Sequence, residues 1–250
     1  MIRSPMVMDG STVDANGFRL RGREVSRLEA LSDAVFGFAI TLLVVSLEVP
    51  RTATALFDAM SGFVAFAACF ALLFFIWNSQ NRFFRRYGLN DGWTVALNGV
   101  LLFVIVFFVY PLKFVFTLVI DMMRGGRPWL QTHDGVQVLT ADQWPGLMMI
   151  YGGGYMAVFL LFALMHLNAL RLGDALDLSE MERYDTMDNV RESLLNVAIG
   201  AVSVLLSVFG GESGPLLGGL SYWLVGPALL AHGWLSGRRR KRVESVPAIG

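Results

Sequence analysis

Residues 27–50 read RLEALSDAVFGFAITLLVVSLEVP and place a polar turn directly before a long apolar segment. The segment from Ala30 to Val49 has the length of about 20 residues that a helix needs to cross a bilayer. Asp33 lies more than one helical turn inside this predicted span. An ionised carboxylate is costly in hydrocarbon, so we expect Asp33 to face protein or water and to have a polar partner.

The composition of the 250-residue chain is also that of a membrane protein. Hydrophobic residues make up 55% and charged residues 16% of the chain, whereas soluble domains carry about 25% charged residues. Five further segments have the length of a spanning helix, which predicts an all-α polytopic membrane protein with six spans. The predicted spans are Ala30–Val49, Phe57–Trp77, Thr94–Ile120 with Pro111 inside, Gly146–Leu167 with three glycines at 152–154, Ser193–Phe209 and Leu216–Leu235 with Pro227 inside.

The basic residues fall mostly on one side of these spans. They lie in the N-terminal tail, around Arg85, in the segment 168–192 and in the run Arg238–Arg242, while the other side holds few. Because cytoplasmic loops are enriched in Lys and Arg, both termini are predicted to be cytoplasmic. The chain would then comprise a cytoplasmic tail (1–26), a six-helix transmembrane domain (27–235) and a basic cytoplasmic tail (236–250) in the cell membrane.

The segments outside the spans have simpler interpretations. We expect the N-terminal tail to be mobile, the acidic segment 168–190 to be a solvated linker, and 121–145 to be an extracellular loop. The run Arg238–Arg242 directly follows a predicted span, so we expect it to stop transfer and to bind anionic lipid headgroups, not nucleic acid. Lys113 is expected to reach the headgroup region from within its span.

No motif for a cofactor, a metal or catalysis is present. Cys69 is the only cysteine, which excludes an intrachain disulfide and a cysteine zinc site, and we interpret it as a buried structural thiol. His133, His166 and His232 are isolated from one another along the chain. No phosphate-binding or dinucleotide-binding loop occurs, and no Thr-Val-Gly-Tyr-Gly filter of the carbonyl type. We therefore expect no cofactor and no enzyme activity.

Partners for Asp33 are available at the end of the second predicted span and in the third. Trp77 supplies an indole donor, and Gln80, Asn81 and Asn98 supply amides that both donate and accept. Such a network can simply lock helices together. Intramembrane carboxylates also often mark function, and the residues alone leave both interpretations open.

An apolar stripe follows Asp33 along the first helix. Phe38, Leu42 and Val45 share one face by their spacing, and Thr41 lies beside it. Such stripes usually face lipid or a neighbouring helix, so the spacing alone does not indicate a pore.

The segment Arg27-xxx-Leu31-Ser32-Asp33 resembles the Arg-xxx-Phe-Ser-Asp signature of the TMEM175 family, the endolysosomal potassium channels and their bacterial relatives. As in that signature, an apolar helix follows, here ending at Val49-Pro50. Residues 76–83, IWNSQNRF, are similar to the family segment Trp-xx-His-His-x-x-Phe. The third span with its Asp91, Asn98 and Pro111 is also similar.

The resemblance implies a potassium-permeable cation channel in a bacterial plasma membrane. Four six-span subunits would surround a central pore lined by the first helix, with potassium and other monovalent cations passing through a hydrophobic constriction. The implied pore-lining residues are Phe38, Thr41, Leu42 and Val45, with Thr41 at a position implicated in potassium preference. The implied network that holds the first helix consists of Arg27, Ser32, Asp33, Trp77, Gln80 and Asn81.

Departures from the family pattern keep two alternatives open. Leu31 replaces the signature phenylalanine, Gln80 and Asn81 stand where histidines are common, and Phe38 stands where isoleucine or leucine is usual. A phenylalanine ring is bulky enough to close a four-fold constriction, which favours a non-conducting scaffold of the same fold. The other alternative is a proton-coupled secondary transporter that uses Asp33, although no internal repeat of the kind common in carriers is evident.

Overall fold

The computed structural model describes residues 13–244 except 15–16, 23, 46–51, 54–59, 61, 124, 126–131, 134–135, 138 and 141. Over these residues the fold is α-helical apart from two short strands, Thr132–His133 and Val136–Gln137, which pair antiparallel. In the described part, the α-helices are α1 (Arg27–Val45), α2 (Phe63–Tyr87), α3 (Gly92–Met123), α4 (Trp144–Arg171), α5 (Glu180–Phe209), α6 (Gly214–Ser221) and α7 (Val225–Glu244).

Four helices of the described part are long and apolar enough to cross a membrane, namely α2, α3, α4 and α5. The predicted first span ends at Val49 and the predicted second begins at Phe57, both of which lie outside the described residues. The described part of the first span is α1. The number of six spans therefore stays a prediction.

Two helices extend well past their predicted cytoplasmic ends. Helix α2 continues beyond Trp77 to Tyr87, where Gly88 closes it in the left-handed conformation with a φ of 58°. Helix α5 begins at Glu180 and not at Ser193, because Ser179 and Glu182 form a reciprocal capping box. The hydropathy pattern marks the part of a helix that lies in lipid, and polar helical turns continue beyond it.

Helix α3 runs through Pro111 without a break. Membrane helices tolerate an internal proline because neighbouring groups satisfy the backbone that it disturbs. The predicted last span is instead divided into α6, a 3-10 turn at Tyr222–Leu224 and α7. Pro227 lies in the first turn of α7, where a missing N–H costs nothing.

Helices α1, α2 and α3 pack against one another, and α3 joins them to the pair α4 and α5. Phe36, Ala39 and Leu43 of α1 lie in the shared core with Leu101 and Ile105 of α3. These α1 residues follow the i, i+3, i+7 spacing of one helical face. The residues that the structure describes therefore leave the opposite face of α1 uncovered.

The described residues 13–14 and 17–22 of the N-terminal segment pack on the bundle, so the expectation that the tail is mobile was wrong for them. Phe18 is only 1% exposed and meets the ring of Tyr87 edge-on. The backbone N–H of Gly22 donates to the carbonyl of Arg85 at the end of α2 over 3.0 Å. The buried ring of Phe18 and the backbone hydrogen bond of Gly22 hold this segment on the bundle. The overall polarity of the segment did not predict either contact.

Candidate functional site at helix α1

The two faces of α1 differ sharply in exposure. Phe36 is 2% exposed in the core, whereas Phe38, two residues later, is 57% exposed. Thr41 is also exposed, and Leu42 lies at the edge of the face, partly buried against the core. The side chain of Val45 lies outside the described residues. Three of the four residues implied as pore-lining thus lie on or beside an apolar surface that the described part of the chain leaves uncovered.

The carboxylate of Asp33 contacts the indole of Trp77. Trp77 Nε1 donates to Asp33 Oδ1 over 2.7 Å, which joins α1 to α2 nearly two helical turns into α1. Hydrogen bonds to a charged acceptor are stronger than neutral ones. Asp33 is otherwise exposed within the subunit. The structure thereby supplies the partner on another helix that the sequence required for this carboxylate.

A second chain of hydrogen bonds lies on the buried side of α1. Gln80 Nε2 donates to Asn98 Oδ1 over 2.7 Å, and Asn98 Nδ2 donates to Ser32 Oγ over 3.0 Å. Ser32 Oγ in turn donates to the carbonyl of Leu28 over 2.8 Å. Ser32 and Asn98 are fully buried. A buried polar chain whose members are partnered fixes the relative position of its helices, here α1, α2 and α3.

Asp91 anchors the start of α3 next to this network. Its carboxylate accepts from the backbone N–H and the hydroxyl of Thr94 and from Asn168 Nδ2 of α4. Burial favours the protonated acid, but these hydrogen bonds outweigh burial and hold the pKa of Asp91 below its ordinary value. The ionised carboxylate therefore ties α3 to α4 on the same side of the bundle.

A polar cavity of about 340 Å³ opens beside the beginning of α1. Asp33 and Glu29 line it from α1, and Gln80, Asn81 and Arg85 line it from α2. Arg27 is exposed at the first residue of α1. Of the sequence network, Asp33, Gln80 and Asn81 thus surround one space, whereas Arg27, Ser32 and Trp77 do not line this cavity.

The side chain of Lys113 contacts α1, and the expectation that it reaches the headgroup region stays a prediction. Its ammonium Nζ lies 3.4 Å from the carbonyl oxygen of Leu43 on α1. Both neighbouring residues on the core side, Leu112 and Leu43, are buried. This contact joins the side chain of Lys113 on α3 to the backbone of α1.

An ionic cluster at the beginning of α5 is a feature that sequence reasoning missed. Glu182 accepts from Arg19 at 2.9 Å and from Arg21 at 2.8 Å, and its side chain is only 4% exposed. Arg19 also pairs with Asp177, whose side chain is 90% exposed. The segment 168–190 is therefore not a solvated linker throughout. The Ser179-xx-Glu182 capping pattern was a visible signal for the helix start, but nothing local to it indicated the distant arginines.

Within the described residues, no three His, Cys, Asp or Glu side chains converge as ligands for a metal ion. Cys69 lies on α2 and is buried in the hydrophobic core of the bundle. His166 bonds the Phe162 carbonyl through Nδ1 at 2.8 Å, and its ring meets Phe83 edge-on. These contacts place both residues in the packing of the bundle.

Known proteins share both the sequence and the architecture. The family described as "Endosomal/lysosomal potassium channel TMEM175" matches residues 27–108. A protein named potassium channel from Marivirga tractuosa is 34% identical over 230 residues, covering 90% of this chain and 93% of the relative. Potassium channel Cha6605_3372 of Chamaesiphon minutus is 32% identical over 96 residues, 35% of this chain and 47% of that protein.

A solved structure is similar over nearly the whole bundle. It is the crystal structure of a variant of the potassium channel MtTMEM175 in complex with a Nanobody-MBP fusion protein. The two chains superpose with a TM-score of 0.77 at 33% identity, over 90% of this chain and 99% of the other. The resemblance first seen in α1 and α2 is thereby confirmed, and this membrane-spanning chain belongs to the TMEM175 potassium channel family.

Proposed function

We propose that this protein is a potassium-permeable cation channel whose pathway is lined by the exposed face of α1. The observation that carries the proposal is the asymmetry of α1, with Phe36 in the core and Phe38 on an uncovered apolar face. The potassium channel relatives of similar length support the function. A pathway between subunits would account for this exposed apolar face, which has no evident role in the single subunit.

The proposed assembly is a homotetramer in which four copies of α1 meet on the symmetry axis. Each subunit crosses the bacterial plasma membrane six times, with both termini in the cytoplasm. Helices α2 to α5 supply four spans, and α1 and the α6–α7 run supply the other two. This arrangement places Arg85 in the cytoplasm, in keeping with the excess of arginine on that side.

The constriction is formed by rings of apolar side chains from Phe38, Leu42 and Val45. Ions pass a narrow apolar segment with difficulty because no polar group replaces their water there. Potassium holds its water less tightly than sodium does, so dehydration favours potassium. Thr41 supplies the nearest hydroxyl. It donates its proton to the Gly37 carbonyl over 2.8 Å, which leaves oxygen lone pairs for a passing cation.

The polar network holds α1 in place and forms the cytoplasmic mouth. Asp33 and Glu29 contribute carboxylates to the polar cavity beside α1. Clefts lined by negative charge raise the local concentration of cations. The bonds to Trp77, and those of Ser32 to Asn98, keep α1 from rotating, so the same face stays turned to the axis.

Reconstituted flux with potassium, sodium and caesium gradients tests this function. Phe38→Ala should widen the narrowest ring, raise cation flux and lower the preference for potassium over sodium. Phe103→Ala is the matched control, because Phe103 is 70% exposed on α3 and takes no part in the proposed ring. Phe36 is unsuitable as the control, since truncating a buried phenylalanine costs about 3–5 kcal/mol.

Other results of this flux assay would lead to different conclusions. Equal flux in all proteins, or a larger change from Phe103→Ala than from Phe38→Ala, would reject the pore assignment. A silent wild type with a conducting Phe38→Ala variant would make the native protein a closed channel or scaffold. Flux that requires a proton gradient and vanishes in Asp33→Asn would instead indicate a proton-coupled transporter.

A further inference from the structure

A cleft at the side of the bundle, between α2, α4 and α5, has both polar and aromatic walls. It encloses about 100 Å³ of space. Its lining includes Phe75, Ser79 and Arg82 from α2, Phe159 from α4, and Asn189 and Glu192 from α5. The three α2 residues follow i, i+4, i+7 spacing and so share one face of that helix. Phe75 and Arg82 are exposed, so the cleft opens to the surface of the bundle.

The cleft crosses the predicted boundary of the hydrocarbon region. On α2 the predicted span ends at Trp77, so Phe75 lies inside it and Arg82 beyond it. On α5 the predicted span begins at Ser193, and Glu192 precedes it. The charged end of the cleft is therefore expected at the level of the lipid headgroups and the aromatic end at the level of the acyl chains. A cleft with this polarity matches a phospholipid.

The two walls carry opposite charges, Arg82 on α2 and Glu192 on α5. Arg82 lies close enough to attract the carboxylate of Glu192. Within the described residues, however, no hydrogen bond or ion pair joins these two side chains. Because binding surfaces are complementary in charge to their ligands, a ligand of this cleft would carry a negative group for Arg82 and a positive group for Glu192.

The neighbouring charges are engaged elsewhere. Arg86, which also lines the cleft, bonds the carboxylate of Asp14 over 2.6 Å. Asp188 lies one turn before Glu192 on α5, and its carboxylate is 3.4 Å from Nε2 of His232 on α7. His232 attracts Glu192 when protonated, whereas Asp188 repels it. Arg82 and Glu192 therefore set the charge pattern of the cleft.

The geometry points to a binding site for a zwitterionic phospholipid with a primary amine, phosphatidylethanolamine. Its phosphate binds Arg82, and its ammonium binds Glu192 and the amide oxygen of Asn189. The amide nitrogen of Asn189 already donates to the Asp185 carbonyl over 2.8 Å, which leaves its oxygen as an acceptor. The inference is independent of the proposed function, because it requires only that the chain spans a bilayer and not that α1 lines a pathway.

Headgroup chemistry gives the site its selectivity. An ammonium group carries three N–H donors for the acceptors on α5, whereas the trimethylammonium of phosphatidylcholine carries none. Phosphatidylglycerol has the phosphate but brings no positive charge to Glu192. A site that merely collected anionic lipids would need basic residues on both walls.

Native mass spectrometry of the delipidated full-length protein tests this selectivity on the wild type alone. Lipids with ethanolamine, monomethylethanolamine, dimethylethanolamine and choline headgroups, all with the same acyl chains, differ only in their N–H donors and added methyl groups. We expect phosphatidylethanolamine to bind on the order of tenfold more tightly than phosphatidylcholine, with affinity falling along the series. Equal affinities along the series, or tighter binding of phosphatidylglycerol than of phosphatidylethanolamine, would overturn the inference.

Two variants separate the two ends of the site. Glu192→Gln should lower the affinity for phosphatidylethanolamine to that for phosphatidylcholine. Arg82→Gln should weaken the binding of both lipids on the order of tenfold, because both have the phosphate. Glu180→Gln on α5 and Arg171→Gln on α4 are the matched controls, since both side chains are exposed and neither lines the cleft.

The remaining outcomes also decide the inference. A Glu192→Gln variant that keeps the preference overturns it, as does a control that loses the preference to the same extent. Weak and equal binding of all lipids, together with a smaller oligomer in Glu192→Gln, would assign the cleft to a second copy of the chain and overturn it. A protein that keeps the lipid preference but conducts no ions would support the inference while the proposed function fails.

Discussion

Trp77 on α2 donates its indole N–H to the carboxylate of Asp33 on α1 over 2.7 Å. The bond satisfies one oxygen of a carboxylate that lies inside the apolar part of the sequence. Asp33 also lines the polar cavity beside α1, so one side chain both contacts α2 and faces the proposed cytoplasmic mouth.

Loss of the indole donor should loosen α1 from α2. Trp77→Phe keeps an aromatic ring but removes the N–H, and hydrogen bonds to charged groups contribute about 1.5–3 kcal/mol. We expect the free energy of unfolding in mixed detergent to fall by the lower part of this range. Trp93→Phe is the control, since Trp93 is 61% exposed on α3. If both substitutions lowered the free energy of unfolding equally, the bond to Asp33 would make no contribution of its own.

The contact between Ser32 and Asn98 should show energetic coupling. Ser32→Ala and Asn98→Ala each leave a buried polar partner without this hydrogen bond, which typically lowers the free energy of unfolding by about 1–3 kcal/mol. Because they share one hydrogen bond of 3.0 Å, the double variant should lose less stability than the two single variants together, with a coupling of about 0.5–3 kcal/mol. Additive effects in a double-mutant cycle would contradict this expectation.

Glu182 should be far more important for stability than Asp177, although both pair with Arg19. Glu182→Gln leaves two arginines at a site where the acid is only 4% exposed, and breaking a buried pair costs about 3–5 kcal/mol. Asp177 is 90% exposed, so Asp177→Asn should change stability by about 0–1 kcal/mol. Thermal unfolding followed by circular dichroism compares the two; similar shifts in Tm would contradict the importance of burial.

Asp91 should make stability depend on pH in the acidic range. Its pKa is lower in the folded protein, because hydrogen bonds from Thr94 and Asn168 stabilise the carboxylate against burial. Its contribution is therefore fully present above the unfolded pKa of about 3.9 and is lost as the pH falls through the lowered folded pKa. Asp91→Ala should cost about 1 kcal/mol at neutral pH.

Unfolding titrations of both proteins between neutral and acidic pH test this dependence. The difference between wild type and Asp91→Ala should narrow as the solution becomes acidic. Asp142→Ala is the control, because Asp142 is exposed before α4. A difference that stays constant with pH would show that the capping geometry acts without the charge.

The proposed topology predicts opposite accessibility for two arginines. Cys69, the only cysteine, is buried and can be replaced by alanine before single cysteines are introduced. In intact cells, a membrane-impermeant maleimide should label Arg127→Cys but not Arg85→Cys. Permeabilised cells should label both, and labelling of Arg85→Cys from outside would reject an arrangement with cytoplasmic termini.

Local pattern predicted the parts of the site that lie on one helix. The spacing placed Phe38 on one face of α1 with Thr41 beside it, and both are exposed. The polarity of Trp77, Gln80 and Asn98 marked them as partners for α1, and the hydrogen bonds of Trp77 and Asn98 join them to it. Leu42 is less exposed than the spacing indicated, because the neighbouring core covers the edge of the face.

What the sequence by itself determined is the class of protein: long apolar segments must form helices in lipid, where every backbone group needs an internal partner. Only the tertiary structure decided which groups separated along the chain meet. Arg19 and Glu182 are joined across the fold, and Lys113 of α3 meets the Leu43 carbonyl of α1. A hydropathy pattern records the preference of each residue for lipid or water, whereas such contacts depend on the positions at which packed helices bring donors and acceptors within hydrogen-bond distance.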